Sequence, residues 1–398
     1  MRNLKILHTV EYYFPSVGGA QEAVKRISEL LVKKGHEVTV ATTYLPEREK
    51  YNINGVKIED FSISGNSVRG FSGDTAKYQD FLQDSDFDIM MNYAAQQWTT
   101  DLALPILDKI STKKVLVPCG FSGLYNREYA DYFERMKSWI NKYDKCVYLS
   151  NNYRDINFAR SAGANNEVVI PNGAAEEEFT EKSDINIKKM LNIPENHFLI
   201  LHVGSHTGLK GHEEAITIFK KARITQATLL IVSENLNTKC TKNCHFLAKK
   251  YKWNPFSKLS DKNIIVTPLS RDETIAAYKQ ADLFLFPSNI ECSPIVLFEC
   301  MASKTPFLTT DVGNASEIIE WSGAGDILPT IKFKNGYCKA EINSSVKILQ
   351  NLFDDFDLRQ RMETSGYQAW KNKFTWDKIA KRYEEVYEEI LEQNDIRN

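Results

Sequence analysis

The chain has 398 residues, more than one hydrophobic core accommodates, so about two domains are expected. Hydrophobic residues make up 42% and charged residues 26%, an ordinary globular balance, and a net charge of −2 excludes the broad basic field that a nucleic-acid or polyanion partner requires. The seven cysteines are scattered and odd in number, which argues against a disulfide framework and for a reducing, cytoplasmic setting. No apolar run is long enough to span a bilayer, and Glu11 interrupts the first one too early for a signal peptide. Peripheral contact with the inner face of a membrane is compatible with all of this.

Residues 4–10 form a compact apolar run that carries His8 and Thr9 and ends in Tyr12-Tyr13-Phe14-Pro15-Ser16-Val17-Gly18-Gly19. Ala20, Val24, Ile27, Leu30 and Leu31 then recur at helical spacing until Gly35, and residues 36–42 read as a second strand. Strand, glycine-bearing loop, helix, strand is the opening of a parallel sheet with crossover helices. Short strands recur at 88–91, 114–117, 146–149 and 168–170.

Pro171-Asn172-Gly173 is a turn signal. Residues 176–196 are acidic and poorly periodic, as a linker would be, with Glu176-Glu177-Glu178 as its solvated face. The pattern then restarts. Residues 198–203 are a second first strand; Gly204 and Lys210-Gly211 follow, and Ala215, Ile216 and Phe219 belong to the next helix. Further strands fit 228–232, 264–266, 283–286 and 306–309. Residues 235–263 read as a lysine-rich insertion carrying Cys240, Cys244 and Trp253. Trp376, Ile379, Tyr383, Val386, Tyr387 and Ile390 make a final amphipathic helix that must dock on something. The expected architecture is α/β, with two Rossmann-like, doubly wound domains at 1–180 and 195–374 facing across a cleft, and a closing helix at 375–398.

In open α/β sheets ligands bind beyond the carboxyl ends of the strands, so loops that follow strands carry the candidates. Gly18-Gly19 lets backbone N–H groups approach a phosphate at a helix N-terminus. A plain tight turn explains the pair as well, and the Gly-x-Gly-x-x-Gly dinucleotide fingerprint is absent. The loop Gly204-Ser205-His206-Thr207-Gly208-Leu209-Lys210-Gly211 offers a flexible turn, a cation and a new helix N-terminus, which suits a diphosphate leaving group. The most informative run is 281–299. A buried strand stops at Pro287, Ser293 is placed as a helix N-cap and Pro294 as the first helical residue, with Glu291 in the loop and Glu299 on the second turn. A carboxylate only accepts hydrogen bonds, so each glutamate suits a pair of neighbouring sugar hydroxyls. Two unrelated surface glutamates would not leave Glu299 inside the apolar run 295–302.

The Glu-x7-Glu spacing of Glu291 and Glu299 resembles the signature of the retaining glycosyltransferases of group 1, which have the GT-B fold. Phe14-Pro15 with Gly18-Gly19 is similar to that family's first loop, Ile170-Pro171-Asn172-Gly173 with Phe179 to its domain junction, and Lys210-Gly211 to its phosphate-binding lysine. Thr310-Asp311-Val312-Gly313-Asn314 with Glu317 resembles the segment after the glutamates, and Trp376 and Tyr387 the closing helix, which in the family packs back on the first domain.

The resemblance implies a metal-independent hexosyltransferase with no cofactor, which moves a sugar from a nucleotide-diphosphate sugar to a glycan, lipid-linked or small-molecule acceptor in bacterial-type cell-surface polysaccharide synthesis. Glu299 would hold the donor's ribose and Glu291 the hydroxyls of the transferred sugar. Lys210 and the backbone N–H groups near Gly19, Ile295 and Val296 would stabilise the diphosphate, with Lys210 and Glu291 as the catalytic residues; Gly18, Ser205 and Ser293 would also belong to the donor site, and Pro268-Leu269 would lie near the base. Ser205 stands where the family usually carries Arg, and Cys119 where it often carries His. Those two departures support an alternative reading as a catalytically impaired nucleotide-sugar-binding subunit; a GT-B nucleotide-sugar epimerase is another. Tyr93, Trp98, Cys119 and Phe121 follow strands of the first domain and are candidates for the acceptor side. Asp84-Ser85-Asp86-Phe87-Asp88 reads as a solvated turn rather than a metal chelate. Cys240, Cys244 and His245 lie close together, but a zinc site takes four ligands and no matching pair stands elsewhere, so loop cysteines are expected.

Overall fold

The computed structural model describes residues 3–232, 237–252 and 259–395. The chain divides into two compact units. The first is Met1–Asn172 together with Trp376–Asn398, and the second is Gly173–Thr375.

The first unit carries β1 (Lys5–Thr9), β2 (Glu37–Thr43), β3 (Asn52–Ile53), β4 (Val56–Phe61), β5 (Ile63–Asn66), β6 (Gly70–Gly73), β7 (Ile89–Tyr93), β8 (Lys113–Val117), β9 (Lys145–Tyr148) and β10 (Glu167–Val169). One sheet runs β10-β9-β8-β7-β1-β2-β4-β3. Its pairings are parallel except β3 with β4. All five side chains of β7 are buried, the continuous apolar pattern of a parallel strand covered on both faces. From β1 the sheet grows one way to β2 and β4 and the other way to β7, so the topological switch point lies between β1 and β7. β3, β4 and the antiparallel hairpin β5–β6 have no counterpart in the sequence reading. Val56 and Ile58 alternate with Lys57 and Glu59, so β4 does carry a strand pattern in the sequence, broken only by Asp60, whereas both strands of the hairpin carry glycine.

The helix Trp376–Asp395 completes this unit. Ile379, Tyr383, Val386, Tyr387 and Ile390 are buried. The Tyr387 hydroxyl is 3.0 Å from His8 Nε2, and Ser28 Oγ is 2.8 Å from His8 Nδ1. Burial holds His8 neutral by lowering its pKa to about 3. Glu384 sits between His36 Nε2 at 3.0 Å and Lys34 Nζ at 2.9 Å.

The second unit carries β11 (Phe198–Val203), β12 (Ala227–Val232), β13 (Lys262–Thr267), β14 (Leu283–Phe286), β15 (Phe307–Thr310) and β16 (Gly325–Leu328) in the order β13-β12-β11-β14-β15-β16, all parallel. A short antiparallel pair, β17 (Thr330–Lys332) and β18 (Cys338–Ala340), follows. Here the switch point lies between β11 and β14.

Three expectations need correction. Residues 176–196 are not a linker, because Phe179, Ile187 and Ile193 are buried in the core of the second unit and Glu178 pairs with Arg271 at 2.5 Å. The first unit accordingly stops at Asn172, ahead of the expected boundary at 180. The lysine-rich insertion contains the helix Lys239–Lys252, whose Cys244 and Tyr251 join a hydrophobic cluster with Phe219 and Leu229. Asn235 and Trp253 lie outside the described residues. The Asp84–Asp88 segment is a surface turn, where Asp86 pairs with Lys5 Nζ at 2.8 Å and Asp88 accepts from the Lys5 N–H at 2.8 Å.

Candidate active site

The two strongest sequence motifs follow β11 and β14, the strands that flank the second unit's switch point. They meet there. Lys210 Nζ lies 2.7 Å from Glu291 Oε1, and Ser288 Oγ donates to the same oxygen at 2.8 Å. The backbone reinforces the contact, since the Asn289 N–H donates to the Leu209 carbonyl at 2.8 Å. Gly211 makes this approach feasible. Its φ is +71°, and a Cβ there would stand 1.9 Å from the Pro287 carbonyl oxygen, so no other residue fits. Ser205 is exposed and Lys210 half-buried.

The helix Ile295–Ala302 begins one residue later than expected, with Pro294 as its N-cap. Ser293 therefore does not cap it; its Oγ accepts from Asn314 Nδ2 at 3.1 Å. The Asn314 N–H also donates to the Cys292 carbonyl at 2.8 Å, so the segment after β15 braces the loop that holds Glu291. Ile295 and Val296 occupy the first turn, where helix geometry leaves N–H groups without intrahelical acceptors. Glu299, one turn further on, is 5% exposed. Its Oε1 lies 2.6 Å from Arg271 Nη2. Burial by itself would lower the Arg271 pKa, but the charges of Glu299 and Glu178 outweigh it and the pKa is raised. Burial, with Glu299 beside it, also raises the Tyr278 hydroxyl pKa well above its ordinary value. Arg271 is the first residue of the helix Arg271–Gln280, which a capping box between Ser270 and Glu273 starts just after Pro268 and Leu269. Pro268 is exposed and Leu269 half-buried at the end of β13.

Arg271 was missed as a site residue, although Ser270-x-x-Glu273 marks its helix start in the sequence. Ser288 and Asn314 carry no signal in the sequence that marks them as site residues, and Glu178 reads there as a surface charge.

In the first unit Gly18 precedes the helix Gly19–Lys33 with extended backbone, and a Cβ built on Gly19 would meet nothing within 4 Å. Neither conformation nor packing against the protein's own atoms requires glycine at position 19. Of the acceptor-side candidates, Tyr93, Trp98 and Phe121 are at most 1% exposed and belong to the core, with Trp98 Nε1 donating to Thr43 Oγ1 at 2.8 Å, so they offer no free face for stacking. Cys119 is half-buried, and burial, with Asp155 nearby, raises its pKa to about 12, so the thiol is not a nucleophile at neutral pH.

The loops after β7 and β8 carry a feature that composition does not reveal. Ala94, Gln96, Cys119 and Phe121 all have positive φ, a costly conformation for residues with a side chain. Two buried aspartates hold them. Asp101 accepts from the N–H groups of Gln96 at 3.1 Å and Ser67 at 3.0 Å and from the Tyr132 hydroxyl at 2.8 Å. Asp155 accepts from the Gly120 N–H at 2.8 Å. Burial pushes both carboxyls up to about 6.

Two doubly wound parallel units in one chain, each with a glycine-bearing loop at its switch point, make the GT-B fold. Residues 183–368, which fall within the second unit, match the family model described as glycosyl transferases group 1. The chain is similar to an uncharacterized glycosyltransferase of Methanocaldococcus jannaschii, 24% identical over 96% of this chain and 97% of that one. It is also similar to the lipopolysaccharide 1,2-N-acetylglucosaminetransferase of Salmonella typhimurium, 24% identical over 54% of this chain and 55% of that one. Among solved structures, the Anabaena protein HepE in complex with UDP and glucose superposes with a TM-score of 0.72 at 15% identity, covering 97% of this chain and 100% of that one.

Proposed function

We propose that the protein is a retaining glycosyltransferase that moves a sugar from a nucleotide-diphosphate sugar to a glycan, lipid-linked or small-molecule acceptor in cell-surface polysaccharide synthesis. The observation that carries the reading is the meeting of Lys210 and Glu291 at 2.7 Å at a switch point, with Glu299 buried on the adjoining helix. A cation beside a helix N-terminus supplies the field a departing diphosphate needs, and two carboxylates supply acceptors for the vicinal hydroxyls of ribose and hexose.

Lys210 and the N–H groups of Ile295 and Val296 hold the diphosphate, Glu299 the ribose, Glu291 the transferred sugar, and Pro268 and Leu269 flank the base. Ser205 adds a hydroxyl or N–H but no charge. Gly18 and Gly19 open the first unit's helix with no side chain in the way of a phosphate. The glycosidic bond lengthens, the leaving diphosphate accepts the acceptor's proton, and the new bond forms on the same face. This route asks for neither an enzyme nucleophile nor a metal or cofactor at the reacting atoms, so the neutral Cys119 thiol is no obstacle. Support for the donor class comes from the UDP and glucose held by HepE, and for the acceptor class from the lipopolysaccharide transferase relative. No helix among the described residues is long and apolar enough to cross a membrane. The reading places the protein in the cytoplasm, with peripheral contact to the membrane where acceptors are lipid-linked.

The test has two stages. Nucleotide sugars are screened by thermal shift, since a ligand that binds only the folded chain raises its stability by mass action. The product formed from the best donor is then read for anomeric configuration. A shift followed by an α-linked product from an α-linked donor supports the proposal. Tight donor binding with no transfer to any acceptor favours the impaired-subunit reading, conversion of the donor alone favours an epimerase, and an inverted product removes the retaining mechanism.

A further inference from the structure

The group dismissed in the sequence for want of partners acquires one in the fold. Cys240 and Cys244 are four residues apart on the helix Lys239–Lys252 and therefore share one face. His206, in the loop after β11, reaches them. The ligand atoms of His206, Cys240 and Cys244 all lie within 4.8 Å of one another. We propose that these three residues bind a single thiophilic divalent ion of the zinc class, which clamps the helix Lys239–Lys252 to the loop that carries Lys210.

Three observations converge on it. His206 is 5% exposed, yet among the described residues neither of its ring nitrogens has a hydrogen-bond partner. Leaving a buried polar atom unsatisfied costs on the order of 1–3 kcal/mol, and a metal bond removes that cost for the ligating nitrogen. The spacing is right in kind. Zinc bonds of about 2.3 Å to sulfur and about 2.0 Å to nitrogen place tetrahedral ligand atoms roughly 3.5–3.8 Å apart, so small side-chain rotations close the triangle. Finally, His206, His212 and Cys240 line an open cavity of ≈ 960 Å³, which gives the ion an entry path and a water molecule for the fourth position.

His212 is the residue beneath the site. Its ring stacks on His206 at 3.9 Å, its Nε2 lies 3.3 Å from the Gly204 carbonyl and its Nδ1 3.7 Å from Cys240 Sγ. With Nε2–H donating to Gly204, Nδ1 accepts the Cys240 S–H in the metal-free chain. On binding, the two thiols release their protons to solvent and no atom changes oxidation state. A bland packing of helix thiols against a histidine accounts for the sulfurs, but not for a buried imidazole without a hydrogen-bond partner among the described residues. The ion is structural in this arrangement, so the site stands or falls independently of the sugar-transfer reading.

The full chain, stripped with a chelator, is titrated with Co²⁺ under reducing conditions, and the thiolate-to-cobalt absorption is recorded before and after Zn²⁺ is added. The expected result is saturation at one ion per chain, bleaching by Zn²⁺, and, in the wild-type chain, Zn²⁺-dependent protection of the half-buried Cys240 from maleimide labelling mapped by mass spectrometry. Cys240→Ser should lose about half the absorption, since one of two thiolates is gone, and His206→Ala should weaken binding at least tenfold. Absence of a thiolate band in the wild-type chain overturns the proposal, as does Zn²⁺-dependent protection of another cysteine while Cys240 stays reactive. The labelling readout needs no variant, so a substituted chain that fails to fold does not decide the outcome.

Discussion

In the proposed transfer, Lys210 is the residue on which the chemistry depends most. Removing one preorganised donor from a developing anion costs on the order of 3 kcal/mol, so Lys210→Ala should lower turnover about a hundredfold or more. The residue is half-buried on a surface loop, so its melting temperature should stay near that of the wild type. Near-normal turnover would take Lys210 out of the mechanism. Asp155 makes a prediction of a different kind. The folded carboxyl keeps its proton up to about pH 6, whereas the unfolded one releases it near 3.8. Between those values the folded state holds the extra proton, so this group's contribution to stability falls as pH rises, by about 3 kcal/mol across the window. Asp155→Asn abolishes the titration. The stability advantage of the wild type over that variant, from urea unfolding, should therefore shrink from about pH 4 to about pH 6 and stay flat above it. An advantage that grows with pH would mean that the carboxylate's N–H bonds outweigh its burial.

Loops and helices, rather than single side chains, bring the candidate residues together, and Gly211 shows the dependence. A Cβ at this position runs into the Pro287 carbonyl and the backbone is left-handed, so Gly211→Ala must push the loop after β11 away from the loop after β14. A loss of roughly 1–3 kcal/mol in stability is expected, together with weaker binding of whichever nucleotide sugar the screen identifies. Calorimetric unfolding and donor titration check the two effects, and retention of both would show that the loops can part without consequence. The same elements mark how far the sequence could be read. The strands flanking both switch points were legible because each is a short, largely apolar run, with β11 and β14 running into Gly204 and Pro287, and Glu299 stood out as a charge inside the apolar helical run 295–302. The pairing of Arg271 with Glu178 was not legible, since 93 positions separate them and each looks like an ordinary surface charge. Nor were the strained loops after β7 and β8, because Ala94, Gln96, Cys119 and Phe121 adopt glycine-like φ without being glycine. The hydrogen bonds of Asp101 and Asp155 supply what the local sequence does not show.

At the scale of the molecule, the first unit is assembled from two stretches of chain and the second from one. The closing helix buries Ile379, Tyr383, Val386, Tyr387 and Ile390, and a buried side chain of this size is worth about 1.5–3 kcal/mol. Together they rival the entire stability of a typical domain. A chain ending at Thr375 should therefore have a first unit that a protease digests quickly, while residues 173–375 resist. Equal resistance of both parts would show that the helix is dispensable.

The discontinuity also sets an order of events during synthesis. Residues 173–375 are one contiguous stretch and have everything they need once they leave the ribosome. The strands β1–β10 cannot reach their final packing until the helix Trp376–Asp395 has been made, and His8 waits for a hydroxyl 379 positions downstream. The first unit thus matures after the second although its strands are made earlier, and its apolar sheet face is exposed to aggregation and to chaperones while about 200 further residues, 173–375, are synthesised.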